Sequence, residues 1–196
     1  MPGRLSCGLA IASLLALATA CGTSPPSRYY TLDSTATSDG TPALGRAIAV
    51  GPVSIPGSVD RPELVVQVAP NQVEVDEFDR WAAPLDDAIA RTVAGNLAVL
   101  LATPEVASAP LANFAPAYRV TIDVQRFESA PGDAALVDAV WAVAASAGGE
   151  PRTGRTVARE PVQGTGFDAL AAAHSRALAK LSGDIAAAIR SAAGAR

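Results

Sequence analysis

Residues 118–128 read YRVTIDVQRFE, and their alternation decides the architecture. Tyr118, Val120, Ile122 and Val124 fall on one side of an extended chain, with Arg119, Thr121, Asp123 and Gln125 on the other. A period of two describes a strand with one buried and one polar face. The order slips at Arg126-Phe127, which predicts a bulge.

Downstream, ALVDAVWAVAA (135–145) and GRTVAREPV (154–162) flank SAGGEPR and read as a hairpin. Upstream, LVVQVA (64–69) and QVEVDEF (72–78) alternate around Pro70-Asn71 and read as another. AIAVGPVSIP, 47–56, is a buried strand that Pro52 and Pro56 are expected to end, and YYTL, 29–32, is a short strand candidate.

Two segments carry helical spacing instead. From Pro84, the apolar positions run Leu85, Ile89, Val93, Leu97, Leu100 and Leu101, with Asp86 and Asp87 in the first turn and Thr103-Pro104 as the stop. The last helix begins near Thr165, whose spacing to Asp168 resembles a capping box; Phe167, Leu170, Ala171, His174, Leu178, Leu181, Ile185 and Ile189 share one face. The expected fold is α+β: a mixed, mainly antiparallel sheet of about six strands with two amphipathic helices packed on it. One domain spans 46–191, followed by a short tail, 192–196. Residues 22–28 and 33–45 are rich in Ser, Thr, Gly and Pro without periodicity and read as tether and loop.

The first twenty residues have the three parts of an export signal: Arg4 in a short n-region, an apolar run from Leu5 to Leu17, and small residues Ala18-Thr19-Ala20. The run is shorter than the ~20 residues that span a bilayer. Ordinary signal peptidase would release a soluble chain beginning at a free Cys21. The lipoprotein reading has Cys21 acylated with a diacylglycerol and an N-acyl chain, although the usual lipobox Leu stands one place early at Leu17. No cysteine follows Cys21, and Cys7 lies within the apolar run, so the folded body cannot form a disulfide. Two or three acyl chains, at about 0.8 kcal/mol per buried methylene, make a lasting anchor. Gly22 rather than Asp after the cysteine favours the outer over the inner membrane, facing the periplasm.

Composition excludes several classes of function. Without the leader, 14 basic side chains oppose 19 acidic ones, a net charge of −5. Such a balance disfavours nucleic acid and electrostatic docking on anionic lipid. A single histidine and no mature cysteine beyond the anchor leave no zinc set of the usual kind, and no other cofactor is expected. His174 sits on an apolar stripe and reads as a satisfied histidine at the core edge; Ser175 beside it points to a different face. The acidic run EVDEFD, 74–79, lacks the offsets of a calcium loop and reads as a solvated strand end beside Arg80. Trp141 and Trp81 read as core anchors, though Trp81, at a helix entrance, could instead cap a groove. No enzyme is expected. The candidate partner surface is the Pro-bounded loop containing Pro56, Val59, Asp60, Arg61 and Pro62, together with Arg80 and Trp81.

The order of these features resembles the ABC-type transport auxiliary lipoproteins, the PqiC-like family. The resemblance rests on the export signal with Cys21, YYTL (29–32), AVGPVSIP (49–56), DRPELV (60–65) and RWAAPL (80–85). RVTIDVQRFE, LVDAVWAV and SRALAKLSGDIA extend it to about residue 189. It implies a non-enzymatic accessory of an MCE-type system, in which an MCE-domain protein links an inner-membrane ABC transporter to the outer membrane. It also implies that the chain can assemble into a homo-oligomeric ring. A tether from Cys21 to Tyr29 would hold the domain within roughly 15 to 25 Å of the membrane. The alternative is a periplasmic lipoprotein that itself binds a hydrophobic small molecule; a cell-envelope hydrolase would need more than His174.

Overall fold

The chain is described by a computed structural model for residues 25–109 and 113–194. The export segment, Cys7 and Cys21 lie outside the described residues. Two sheets and two helices form the body. The strands are β1 (Arg28–Tyr30), β2 (Ile48–Ser54), β3 (Glu63–Ala69), β4 (Gln72–Trp81), β5 (Val106–Ala107), β6 (Tyr118–Ala130), β7 (Ala134–Ala145) and β8 (Arg152–Pro161). The helices are α1 (Leu85–Leu100) and α2 (Gly166–Gly194).

The alternation in 118–128 does place β6 at the centre. The larger sheet runs β5-β2-β6-β7-β8, with β6–β7–β8 antiparallel and β2 parallel to both β5 and β6. Tyr118, Val120, Ile122 and Val124 are all buried, while Arg119, Asp123 and Gln125 face solvent. The predicted slip is a bulge between Val124 and Arg126, after which Phe127 rejoins the buried face.

Both helices lie on that face. Along α2, Leu170, Leu178, Leu181, Ile185 and Ile189 are fully buried against β7 and β8, and α1 packs on β2 and α2. Trp141 lies over Gly154 on β8, where any side chain would collide with the indole. Its Nε1 donates to Thr156 Oγ1 at 3.1 Å, and that hydroxyl donates to Asp184 Oδ2 on α2 at 2.6 Å.

Three expectations change. The fold is α+β as read, but its strands number eight among the described residues and divide between two sheets, the smaller ordered β1-β4-β3. The division follows from the β3–β4 hairpin pairing with β1 rather than with β2 or β6. Pro52 does not end β2: the strand crosses it with a register shift between Val50 and Val53, which accommodates the missing N–H. The Pro70-Asn71 hairpin forms as expected, with Asn71 in the left-handed region at φ 62°.

The loop 33–45 has no regular structure, yet it is a strap laid over both helices. Asp33 N donates to Ser175 Oγ (3.0 Å), Ala36 N to Asn96 Oδ1 (2.9 Å) and Leu44 N to the Leu101 carbonyl (2.9 Å). Arg190 of α2 donates to the Pro42 and Leu100 carbonyls at 3.0 and 2.8 Å and to the Thr41 hydroxyl. Leu32 and Leu44 pack against the core. Asn96 is the central bolt: fully buried, it accepts from the strap and donates to Ser182 Oγ of α2 at 3.3 Å. Asn96→Ala should therefore cost about 1–3 kcal/mol, the usual penalty for stranding buried donors, and should open the strap to protease. Urea unfolding and limited proteolysis of 33–45 check this; unchanged stability would remove Asn96 from that role.

Candidate functional site

The two segments singled out as a partner surface come together in space. A backbone bond from Trp81 N to the Pro62 carbonyl, 2.7 Å, ties the end of β4 to the loop before β3. Arg80 reaches Glu63 across the same hairpin at 3.2 Å. Between them lies a surface depression of about 450 Å³ formed by Asp60–Pro62 and Trp81–Leu85. The loop itself is shaped by Val59 N donating to the Pro56 carbonyl and Arg61 N to the Val59 carbonyl, at 3.0 and 2.9 Å. Val59 turns inward and is buried, so it anchors the loop rather than presenting a surface. Asp60 and Arg61 are exposed, and among the described residues their side chains have no hydrogen-bond or ion-pair partner.

Trp81 is a core anchor, as read, and also lines the depression. Its ring is 6% exposed and meets Phe127 and His174 edge-on, with centroids 6.1 and 6.2 Å away, while its upper surface lines the depression. The floor of the site is therefore fixed to the core.

His174 is not at the core edge but in its interior, fully buried and stacked on Phe127 with centroids 3.9 Å apart. Nε2 shares a 2.8 Å hydrogen bond with Ser129 Oγ, while Nδ1 has no partner. Burial pushes its pKa down to about 3. A neutral imidazole sealed from solvent, with no carboxylate orienting it, is a packing element. Ser175 faces the strap through Asp33.

The acidic run is also more structured than a solvated strand end. Asp79 is buried and accepts from Arg28 Nε and Nη2 at 2.7 and 2.6 Å and from the Tyr30 hydroxyl at 2.6 Å. The Arg28 hydrogen bond, the leading cause, holds its carboxyl below the ordinary carboxylate range despite desolvation. Burial first, then the bond to Asp79, pushes the Tyr30 hydroxyl up to about 12. This three-residue lock clips β1 beside Trp81, in register Tyr30↔Trp81. A period-two reading cannot see it, because Arg28 and Asp79 lie far apart in sequence. Among the described residues no cluster of His, Cys, Asp or Glu could hold a metal, and no helix is long and apolar enough to cross a membrane.

The sequence matches the family described as ABC-type transport auxiliary lipoprotein component over residues 30–186. The chain belongs to that family of transport-associated lipoproteins. Its fold is similar to the crystal structure of an uncharacterized protein at TM-score 0.69 and 23% identity, covering 84% of this chain and 99% of that one. It is also similar to protein XCC0632 from Xanthomonas campestris, of the DUF330 family, at TM-score 0.65 and 22% identity, covering 81% and 92%. No curated protein sequence gives a significant match.

The buried histidine has a measurable consequence. In the unfolded chain it takes up a proton near pH 6.5, whereas in the fold it resists protonation until about pH 3. Between those values the unfolded state binds more protons, so acidification favours unfolding. Lowering the pH from 7 to 5 should cost about 2 kcal/mol through this group alone, before Asp79 and Asp138 begin to lose their pairs. Urea titrations of wild type and His174→Gln across this range provide the check: the variant should lose most of the slope, and an equal slope would assign it elsewhere.

Proposed function

We propose that this protein is a lipid-anchored docking subunit of an MCE-type ABC transport system that moves lipids or other hydrophobic molecules between membranes. The observation that carries the reading is the junction of Asp60–Pro62 with Trp81–Leu85: two segments apart in sequence form one exposed depression over a rigid floor. Unpaired Asp60 and Arg61 at its rim can engage complementary charges, and the Trp81 and Pro faces can take an apolar side chain. Membership of the transport auxiliary family supports the association with an ABC system.

In this reading Cys21 carries the acyl chains, and the anchor sits in the outer membrane with the domain facing the periplasm. The MCE-domain protein is the direct partner and the inner-membrane ABC transporter the indirect one, with no nucleic acid involved. A ring of identical copies would present several depressions to a single partner. The reading assigns the protein neither catalysis nor a cofactor, and the described His174–Ser129 pair, sealed and without a charged orienting group, is in keeping with it.

Two variants test the proposal. Cys21→Ser should yield a folded protein that no longer fractionates with membranes and fails to support transport. Arg61→Glu, at an exposed position, should shift stability by no more than about 0.5 kcal/mol. It should nevertheless reduce recovery of the MCE protein after in-cell crosslinking by about tenfold. Normal transport by unacylated protein, or undiminished recovery with Arg61→Glu, would overturn the anchored docking role or this docking surface respectively.

A further inference from the structure

β1 runs parallel to β4, with Arg28 beside Asp79 and Tyr29 beside Arg80. Its N-terminal end therefore points along β4 toward Gln72, at the tip of the β3–β4 hairpin. Pro25-Pro26 ahead of it favours an extended chain, because each ring fixes φ and the residue before a proline avoids the helical region. Gln72 stands eight residues before Arg80, about 27 Å of strand. The tether from Cys21 to Tyr29 has a reach of roughly 15 to 25 Å. Anchor and hairpin tip thus leave the domain on the same side and to similar lengths.

The surface of that tip suits lipid. From Leu64 to Val73 the hairpin carries no charged side chain. Val68 and Val73 flank the Pro70-Asn71 turn and are 49% and 60% exposed. They lie on opposite faces: Val73 stands across from Gln67, so Val68, the next residue along β3, turns the other way. Nearer the body, Val66 on the Val68 face is buried with Leu170 and Ala173 of α2, so core packing claims the hairpin only up to that point. A protein seated on one face of the tip would leave the valine on the other face wet, whereas a bilayer interface surrounds the tip and takes both. Each valine lies two residues from the turn, about 7 Å, within the ~5–10 Å to which apolar groups sink into the interface. Glu74 follows Val73 directly, at the depth where headgroups and water return. The contact is apolar and needs no basic patch, which this acidic chain does not supply.

We infer that the β3–β4 tip is a second membrane contact, with Val68, Pro70 and Val73 entering the lipid interface beside the Cys21 anchor. The inference rests on the anchored reading of Cys21 and adds an orientation to it. With the tip in the interface, β4 stands away from the bilayer and carries Trp81 at its far end, about 30 Å from Gln72. The depression formed by Asp60–Pro62 and Trp81–Leu85 then lies at the end of the hairpin remote from the lipid, where a partner crossing the periplasm arrives. An acyl anchor on a tether leaves a domain free to swivel; a second point of contact fixes which end is presented.

The experiment uses full acylated chains carrying Val68→Cys, Val73→Cys or Arg61→Cys, each labelled with a polarity-sensitive fluorophore. Acylated Cys21 has no free thiol and Cys7 leaves with the leader, so each introduced cysteine is the one labelling site. The chains are placed in phosphatidylethanolamine–phosphatidylcholine vesicles, with and without lipids bearing a nitroxide on the acyl chain. Labels at the two hairpin positions should shift to the blue and be quenched at least about threefold more than the label at Arg61, at the far end of the hairpin. Equal quenching at all three positions, quenching at none, or quenching on one face of the tip only would overturn the inference. So would a blue shift that nitroxide lipid leaves untouched, the mark of a tip covered by protein or by another copy of this chain. The mass of the N-terminal peptide reports on Cys21 separately. An unacylated peptide overturns the anchored reading, whereas acylated chains with an unquenched tip overturn this inference alone.

Discussion

One face of the β6–β7–β8 meander must be covered, and the rest of the structure depends on how that is done. Alternation along these strands collects Val120, Ile122, Val124, Val137, Trp141 and Ala158 on a single side. The α2 stripe closes over them with five fully buried Leu and Ile side chains. At about 1.5–3 kcal/mol for each large side chain removed from water, this stripe alone contributes on the order of 10 kcal/mol to holding the layers together. The helices occupy only that side; on the opposite face Arg155 covers Asp138 across β7 and β8, and Arg159 pairs with Asp133 of the β6–β7 turn.

Buried polar groups then decide how the remaining chain is hung on this frame. Asn96 joins the strap to both helices, Asp79 clips β1 to β4, and His174 fills the space between Phe127 and Trp81. Each satisfies partners drawn from separate elements, which makes it specific as well as stabilising. The clip at Asp79 and the stack on His174 converge on Trp81. That is why the depression beside Asp60–Pro62 has a fixed floor although its rim is a loop.

A domain so arranged fits the docking role proposed for it. Its one histidine and its buried serines are consumed by packing, whereas the side chains left free at the site, Asp60 and Arg61, are ones that recognise charge. The strap matters for the same reason. By fastening residues 33–45 across α1 and α2, it ties the segment that follows β1 to the helical layer.

The sequence by itself determined the elements whose two sides see different surroundings. Strands with one wet face alternate, helices with one buried stripe repeat every three or four residues, and Pro70-Asn71 marks a turn, so the α+β class and both hairpins were legible. It also picked out Pro56–Pro62 and Arg80-Trp81 as segments of interest, because rigid loops and charged or aromatic junctions are local features. Only the tertiary structure decided that these two segments touch, that the strands split into two sheets, and that β2 crosses Pro52. It likewise revealed the burial of Asp79 under Arg28, the strap on Asn96 and the interior position of His174. The reason is common to all of them: each depends on a partner many residues away, and local periodicity records how a residue meets solvent, not which distant residue shields it.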